Sequence, residues 1–379
     1  MAPDTAAQMP TRHHHHHRHH LPPSAAYAAP VAPSPHIDQA PSLLNTFSGS
    51  AMLLLCACSA AFVLSPRRPQ LRGVALQLCL ALALCTASTA QPILMELAKS
   101  RNTEGRAPFH TPSMVFYTEA LKTLVALGTY SYQLRDLEYT GLEQLNLRSV
   151  LPFSVPALMY FAQNNLNYFA LQLIDPPTYQ LWGCAKLAFA GVFFRLLGRQ
   201  LSLRKWAALL FLASGMAITT LRNGEHALDE SKSRETLRGI ALVLCTSALS
   251  GASGVFNEWL IKFQDPKAPL MLKNLLLYLF GTLMCLSAWR PGAPLGDPPL
   301  FFALIVVQSL AGFCVSFVLK YCDSLVKGFS TSAAVLLATF LSSFLFGFQL
   351  HGPFVVGTSV VCVAFYLYFV TPNEAKSGI

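Results

Sequence analysis

Six ionisable residues lie in or against stretches apolar enough to cross a bilayer: Glu119, Lys122, Lys186, Glu258, Lys320 and Lys327. A charged side chain at membrane depth costs roughly 2.5–3.5 kcal/mol on insertion scales, so it faces a partner or a watery cavity. Several such residues in a chain with few charges indicate a polar pathway. The excess of bases over acids, 27 to 18, indicates an anionic cargo. Glu119 and Lys122, at i and i+3, read as an intrahelical pair, with a proton relay as the other reading. Glu258 has Lys262 one turn on and reads as one half of a structural salt bridge.

The densest polar cluster is Gln163-Asn164-Asn165-Leu166-Asn167-Tyr168, followed by Pro177-Thr178-Tyr179-Gln180 and then Lys186. Amides in an apolar helix present donors and acceptors that lipid cannot satisfy. They suit the edge of a base or sugar, tyrosine offers a stacking face and a hydroxyl, and a buried ammonium suits a phosphate. Interhelical hydrogen bonding is the competing role. For Asn164 alone the two stand level; the cluster with Lys186 reads as a ligand site.

In the second half, Ser250-Gly251-Ala252-Ser253-Gly254 reads chiefly as close helix packing. Asn274 and Tyr278, at i and i+4, share a helix face that suits joint contact with a ligand. In Lys320-Tyr321-Cys322-Asp323-Ser324-Leu325-Val326-Lys327-Gly328-Phe329-Ser330 two lysines bracket a turn where a helix starts. A helix N-terminus beside a lysine is a place for phosphate, and an ordinary basic loop is the alternative. The chain has no Walker sequence and no HExxH, and outside its leader no metal-ligand spacing. Transport driven directly by ATP is therefore unsupported, and no cofactor is expected. No nucleophile or acid/base pair marks an enzyme.

The elements that must position these groups are membrane helices. The chain has 379 residues, of which 53% are hydrophobic and 12% charged, with mean hydropathy +0.44. A soluble domain carries about 25% charged residues. A spanning helix needs about 20 largely apolar residues. The pattern predicts ten: 72–97, 113–133, 150–172, 176–197, 203–221, 237–261, 270–289, 299–319, 327–347 and 353–370. Nothing between them is long enough for a separate soluble domain.

Basic residues gather on one side of this array: Arg67, Arg68 and Arg72; Arg195, Arg199, Arg204 and Lys205; Lys262, Lys267 and Lys273; Lys320 and Lys327. That side is assigned to the cytosol, and the 223–236 loop to the lumen. The loop divides a first five-helix half, 71–222, from a second, 237–372. An odd number of helices per half inverts the second relative to the first, the arrangement of many transporters. It pairs the fourth helix with the ninth, hence Lys186 with Lys327, and puts a site near mid-membrane between the halves.

Residues 1–70 are different material. The histidine tract His13–His17 with His19 and His20 lies in an Ala/Pro/Ser-rich stretch that cannot bury a core and is expected to be disordered. The tract has metal-binding chemistry. The apolar run 48–65 has the length of an eleventh helix, a signal-anchor or part of a targeting peptide. The ten cysteines lie mostly in apolar segments and read as packing residues, without disulfide or metal.

Gln163-Asn164-Asn165-Leu166, Thr178-Tyr179-Gln180 with Lys186, and Gly254-Val255-Phe256-Asn257-Glu258 together resemble one family. So do Asn274, Lys320-Tyr321-Cys322-Asp323 with Lys327-Gly328-Phe329-Ser330, Leu345-Phe346-Gly347-Phe348-Gln349 and Tyr366-Leu367-Tyr368. Residues 72–370 thus resemble the CMP-sialic acid/UDP-galactose branch of the Golgi nucleotide-sugar transporters, within the drug/metabolite-transporter superfamily.

The resemblance implies an all-α, ten-helix fold and exchange of a cytosolic pyrimidine nucleotide sugar for a luminal nucleoside monophosphate across the Golgi membrane. It implies ligand contacts at Asn164, Asn165, Tyr179, Lys186, Ser250, Asn274, Tyr278, Ser316, Lys320 and Lys327. The lysines would meet phosphates, and the amides and tyrosines base and sugar. The partners implied are the nucleotide sugar, the nucleoside monophosphate and the bilayer, without nucleic acid; a homodimer or association with glycosyltransferases stays open. The chain departs from the family pattern at Gly183, where a second tyrosine is usual, and Trp182 beside it is itself unusual. It departs again at Phe256-Asn257, where an aromatic pair is usual. A drug/metabolite exporter of the same fold and a non-transporting Golgi scaffold are the alternatives.

Overall fold

The computed structural model describes residues 69–101, 109–135, 140–174, 179, 182–220, 233–346 and 351–369. The histidine tract, the 48–65 run, residues 223–232 of the expected loop, Pro177-Thr178 and Gly347-Phe348-Gln349 lie outside them, while residues 233–236 of that loop already belong to a helix. Ten long helices follow in order: α1 (Pro69–Arg101), α2 (Thr111–Gln133), α3 (Ser154–Leu173), α4 (Ala185–Leu196), α5 (Leu203–Thr220), α6 (Ser233–Phe263), α7 (Leu270–Leu286), α8 (Pro298–Tyr321), α9 (Ser324–Phe346) and α10 (Gly352–Phe369). Short helical turns fill Leu142–Phe153, and no strand occurs among the described residues. Prolines stand in the first turn of α2 and α8, where the missing N–H would have no intrahelical partner.

Each predicted segment overlaps one of these helices, the 176–197 segment over Ala185–Leu196. Five contain stretches long and apolar enough to cross a membrane unaided: Leu76–Ala98, Arg234–Phe263, Pro298–Tyr321, Ser324–Leu345 and Gly352–Phe369, with Leu270–Leu286 a shorter apolar helix. The chain is a multi-pass, all-helical membrane protein. The remaining helices fall short for physical reasons. α2 and α3 carry the acids, bases and amides that line an interior cavity, and α4 has 12 residues in the described range.

The most extensive pairings are α5 with α10, α3 with α6, α2 with α7, α1 with α8, α4 with α6, α1 with α9, α3 with α7 and α2 with α8. This set is unchanged when each helix k of the first five is exchanged with helix k+5. The closest crossing is α5 on α10: a β-carbon on Gly357 would stand 2.5 Å from the Gly215 carbonyl and 2.6 Å from Thr219 N. Backbones approach so closely only where there are no side chains. Gly251 presses in the same way on the Phe189–Ala190 backbone of α4, which bears out the packing role of its small-residue run.

One carboxylate ties three segments together. Glu258 of α6 pairs with Lys262 at 2.8 Å, as its spacing predicts, and also with Arg199 at 2.6 Å. Its other oxygen accepts from Ser324 N at 2.8 Å, and Lys262 donates to the Cys322 carbonyl. Asp323 caps the same helix start by accepting from Val326 N at 2.8 Å. Burial holds the Asp323 carboxyl above the usual carboxylate range. The start of α9 is thus filled by two acids of the protein itself. This corrects the expectation that its N-terminus would present free N–H groups to a phosphate.

Candidate functional site

A cavity of about 240 Å³ lies among α2, α3, α6, α7, α8 and α9. Its polar wall consists of Glu119, Lys122, Tyr160, Asn164, Asn257, Tyr278, Ser316 and Lys327. α3 contributes Ala157, Tyr160, Phe161 and Asn164, one helical face at the i, i+3, i+4, i+7 spacing. α2 contributes Val115, Glu119 and Lys122 by the same rule.

At one side Glu119 and Lys122 form the expected intrahelical pair at 2.6 Å. Each is seated on a glycine of a facing helix. A β-carbon on Gly281 would stand 2.9 Å from Glu119 Oε2, and one on Gly312 would stand 2.8 Å from Lys122 Cδ. The Lys122 ammonium lies 4.5 Å from the centre of the Tyr278 ring, a cation–π distance. The Tyr278 hydroxyl is 3.0 Å from Ser316 Oγ, so α7 and α8 hold each other's polar groups in place. This cation is neutralised inside the protein.

Lys327 is not. Its Nζ lies 5.8 Å from the Tyr160 ring centre, and a β-carbon on Gly254 would stand 3.6 Å from it. Lys186 stands on α4, which packs on α9, where a β-carbon on Gly328 would stand 2.8 Å from Leu187 Cδ2, so the two helices touch at the residues next to the two lysines. Among the described residues neither ammonium has a carboxylate at ion-pair distance, whereas Lys122, Lys262 and Arg199 each have one. Two unneutralised cations held near each other repel, and an anion between them removes the repulsion.

Of the residues expected to meet a ligand, Asn164, Tyr278, Ser316 and Lys327 are brought into this cavity, and Lys186 stands on α4, which contributes nothing to its wall. The others stand outside its wall. Asn165 is exposed and donates to the Phe161 carbonyl at 2.9 Å. Tyr179 packs against the cluster of Ala170, Ile174 and Val243. Ser250 is half-buried, and its carbonyl accepts from Ser253 Oγ. Asn274 is buried with both amide atoms unpartnered. Lys320 is exposed over the Tyr321 ring.

Tyr160 and Asn257 are cavity residues that sequence reasoning passed over. Tyr160 stands four residues before Asn164, and that spacing was the available signal. A larger apolar groove, about 550 Å³, lies between α9 and α10 and has no charged residue in its lining. It has the character of a lipid-facing surface. No disulfide links the cysteines, and no cluster of three metal-binding side chains occurs, among the described residues.

An interior polar cavity between two sets of membrane helices is the construction of a membrane transporter. Residues 74–369 match the model of the nucleotide-sugar transporter family, and the chain belongs to that family. It is 32% identical over 305 residues to CMP-sialic acid transporter 2 of Oryza sativa, covering 76% of this chain and 82% of that protein. It is 31% identical over 307 residues to the UDP-galactose translocator of Mus musculus, covering 75% and 76%. A solved structure described as a crystal structure of protein shares the fold, with TM-score 0.57 at 14% identity over 76% of this chain and 96% of that one.

Proposed function

We propose that the protein is a Golgi antiporter that exchanges a cytosolic pyrimidine nucleotide sugar for a luminal nucleoside monophosphate by alternating access. The observation that carries this reading is the pair Lys186 and Lys327, on helices that touch through their neighbours Leu187 and Gly328, with no carboxylate of the described residues at ion-pair distance from either. Phosphate neutralises them, while Asn164, Tyr160 and Tyr278 offer an amide and aromatic faces to base and sugar.

Family membership supports the cargo class, and relatives named for CMP-sialic acid and for UDP-galactose stand at nearly equal identity. That near-equality leaves the sugar open. A cavity of about 240 Å³ is below the roughly 300–1,000 Å³ of ordinary ligand pockets, so a whole nucleotide sugar enters only if the halves part. The exchange-invariant helix pairing supports two inverted halves that rock about one site.

The test is the melting temperature of the purified protein titrated with CMP, UMP, GMP and AMP. A ligand at 100 times its Kd adds about 2.7 kcal/mol of stability, which a melt resolves. Stabilisation by CMP points to a CMP-sugar and by UMP to a UDP-sugar. A response to GMP alone overturns the pyrimidine assignment. No response from folded protein overturns the nucleotide reading and leaves the exporter or the scaffold. Lys186→Ala and Lys327→Ala are each expected to abolish the response, and exchange in liposomes, while the protein still folds.

A further inference from the structure

Asn257 of α6 lines the cavity. It is 2% exposed, and its Oδ1 is fully enclosed without a hydrogen-bond partner. Among the described residues its Nδ2 has no partner either. A buried amide left unmatched destabilises a fold, so its presence in a well-packed helix calls for a partner from elsewhere.

The position of Lys327 tells where that partner sits. Its ammonium lies between Tyr160 of α3 and Gly254 of α6. Asn164 follows Tyr160 by four residues and Asn257 follows Gly254 by three, each about one helical turn along the same face. Like Asn257, Asn164 has no hydrogen-bond partner among the described residues. An anion held by Lys327 is therefore within about a helical turn of two vacant amides. The Asn257 amide turns about its last torsion to offer a donor or an acceptor.

We propose that Asn257 hydrogen-bonds the ligand at the junction of its phosphate and ribose, and so sets nucleotide affinity in this chain. The proposal rests on the nucleotide reading above. In it Lys327 supplies the charge and Asn257 the directional contact next to the phosphorus.

The test uses the full chain and the nucleoside monophosphate, CMP or UMP, that stabilises the wild type. Asn257→Leu and Asn257→Ser are melted without ligand and then titrated. For Asn257→Leu the expected result is a ligand-free melting temperature at or above wild type, because an unmatched amide has gone. Its Kd is expected to weaken tenfold or more, with Asn257→Ser in between. Unchanged affinity overturns the proposal, whatever the melting temperature. A melt that falls in both variants also overturns it, by assigning the amide to the fold. A wild type that responds to no nucleotide sinks the nucleotide reading itself, which is a different result from a responsive wild type with an equally responsive Asn257→Leu.

Discussion

Asn164 and Asn165 are neighbours in sequence, yet about 100° of helical rotation sends one to the cavity and the other to the Phe161 carbonyl on the outer face. The same geometry puts Glu119 and Lys122 on one side of α2, where their 2.6 Å pairing is mostly shielded from solvent. Removing one partner of a buried pair strands the other charge and costs about 3–5 kcal/mol. Glu119→Gln is therefore expected to lower stability by about that amount in a denaturation experiment. The double variant Glu119→Gln/Lys122→Met is expected to recover most of it, because no unpaired cation remains. A single variant as stable as wild type would show that the pair contributes nothing to the fold.

Helices in this protein are positioned by two devices: contact through small residues and buried polar ties. The crossing of α5 and α10 depends on Gly215 and Gly357, where any β-carbon meets backbone. Gly357→Val is expected to force the two helices apart and destabilise by about 1–3 kcal/mol or more, the usual cost of overpacking. Gly128→Val is the control, since nothing lies within 4 Å of a β-carbon there. Equal melting temperatures for the two variants would show that the crossing tolerates separation. The polar tie is Glu258, which joins α6 to Arg199 before α5 and to the start of α9. Its pairing with Lys262 was legible from the i, i+4 spacing. Arg199 and Ser324, 59 and 66 residues away along the chain, were not.

For the whole molecule, the proposed exchange would follow from the same two lysines. When the site is empty, two unneutralised ammonium groups would have to pass through the occluded state, where low dielectric strengthens their repulsion. With phosphate bound they pass as a compensated set. Liposomes loaded with the nucleoside monophosphate that stabilises the protein are expected to take up nucleotide sugar at least tenfold faster than empty ones. Equal rates would establish uniport and remove obligatory exchange from the mechanism.

Composition, charge distribution and the hydrophobic period determined, without coordinates, that this chain is helical and lies in a membrane. Those properties are sums over short windows, and side chains three and four apart meet wherever a helix forms, so Glu119 with Lys122 and Glu258 with Lys262 could be read directly. Only the tertiary structure decided which of the polar residues share a space. Lys327 and Tyr160 are 167 positions apart in the chain and come within 5.8 Å through the packing of separate helices. Tyr179 and Asn274 have the same ligand-binding chemistry as Tyr278 and Asn164, but helix rotation and crossing turn them into packed surroundings. The unmatched amide of Asn257 is the reverse case. Its sequence context reads as helix packing, and burial without a partner is a property that only three-dimensional neighbours can confer.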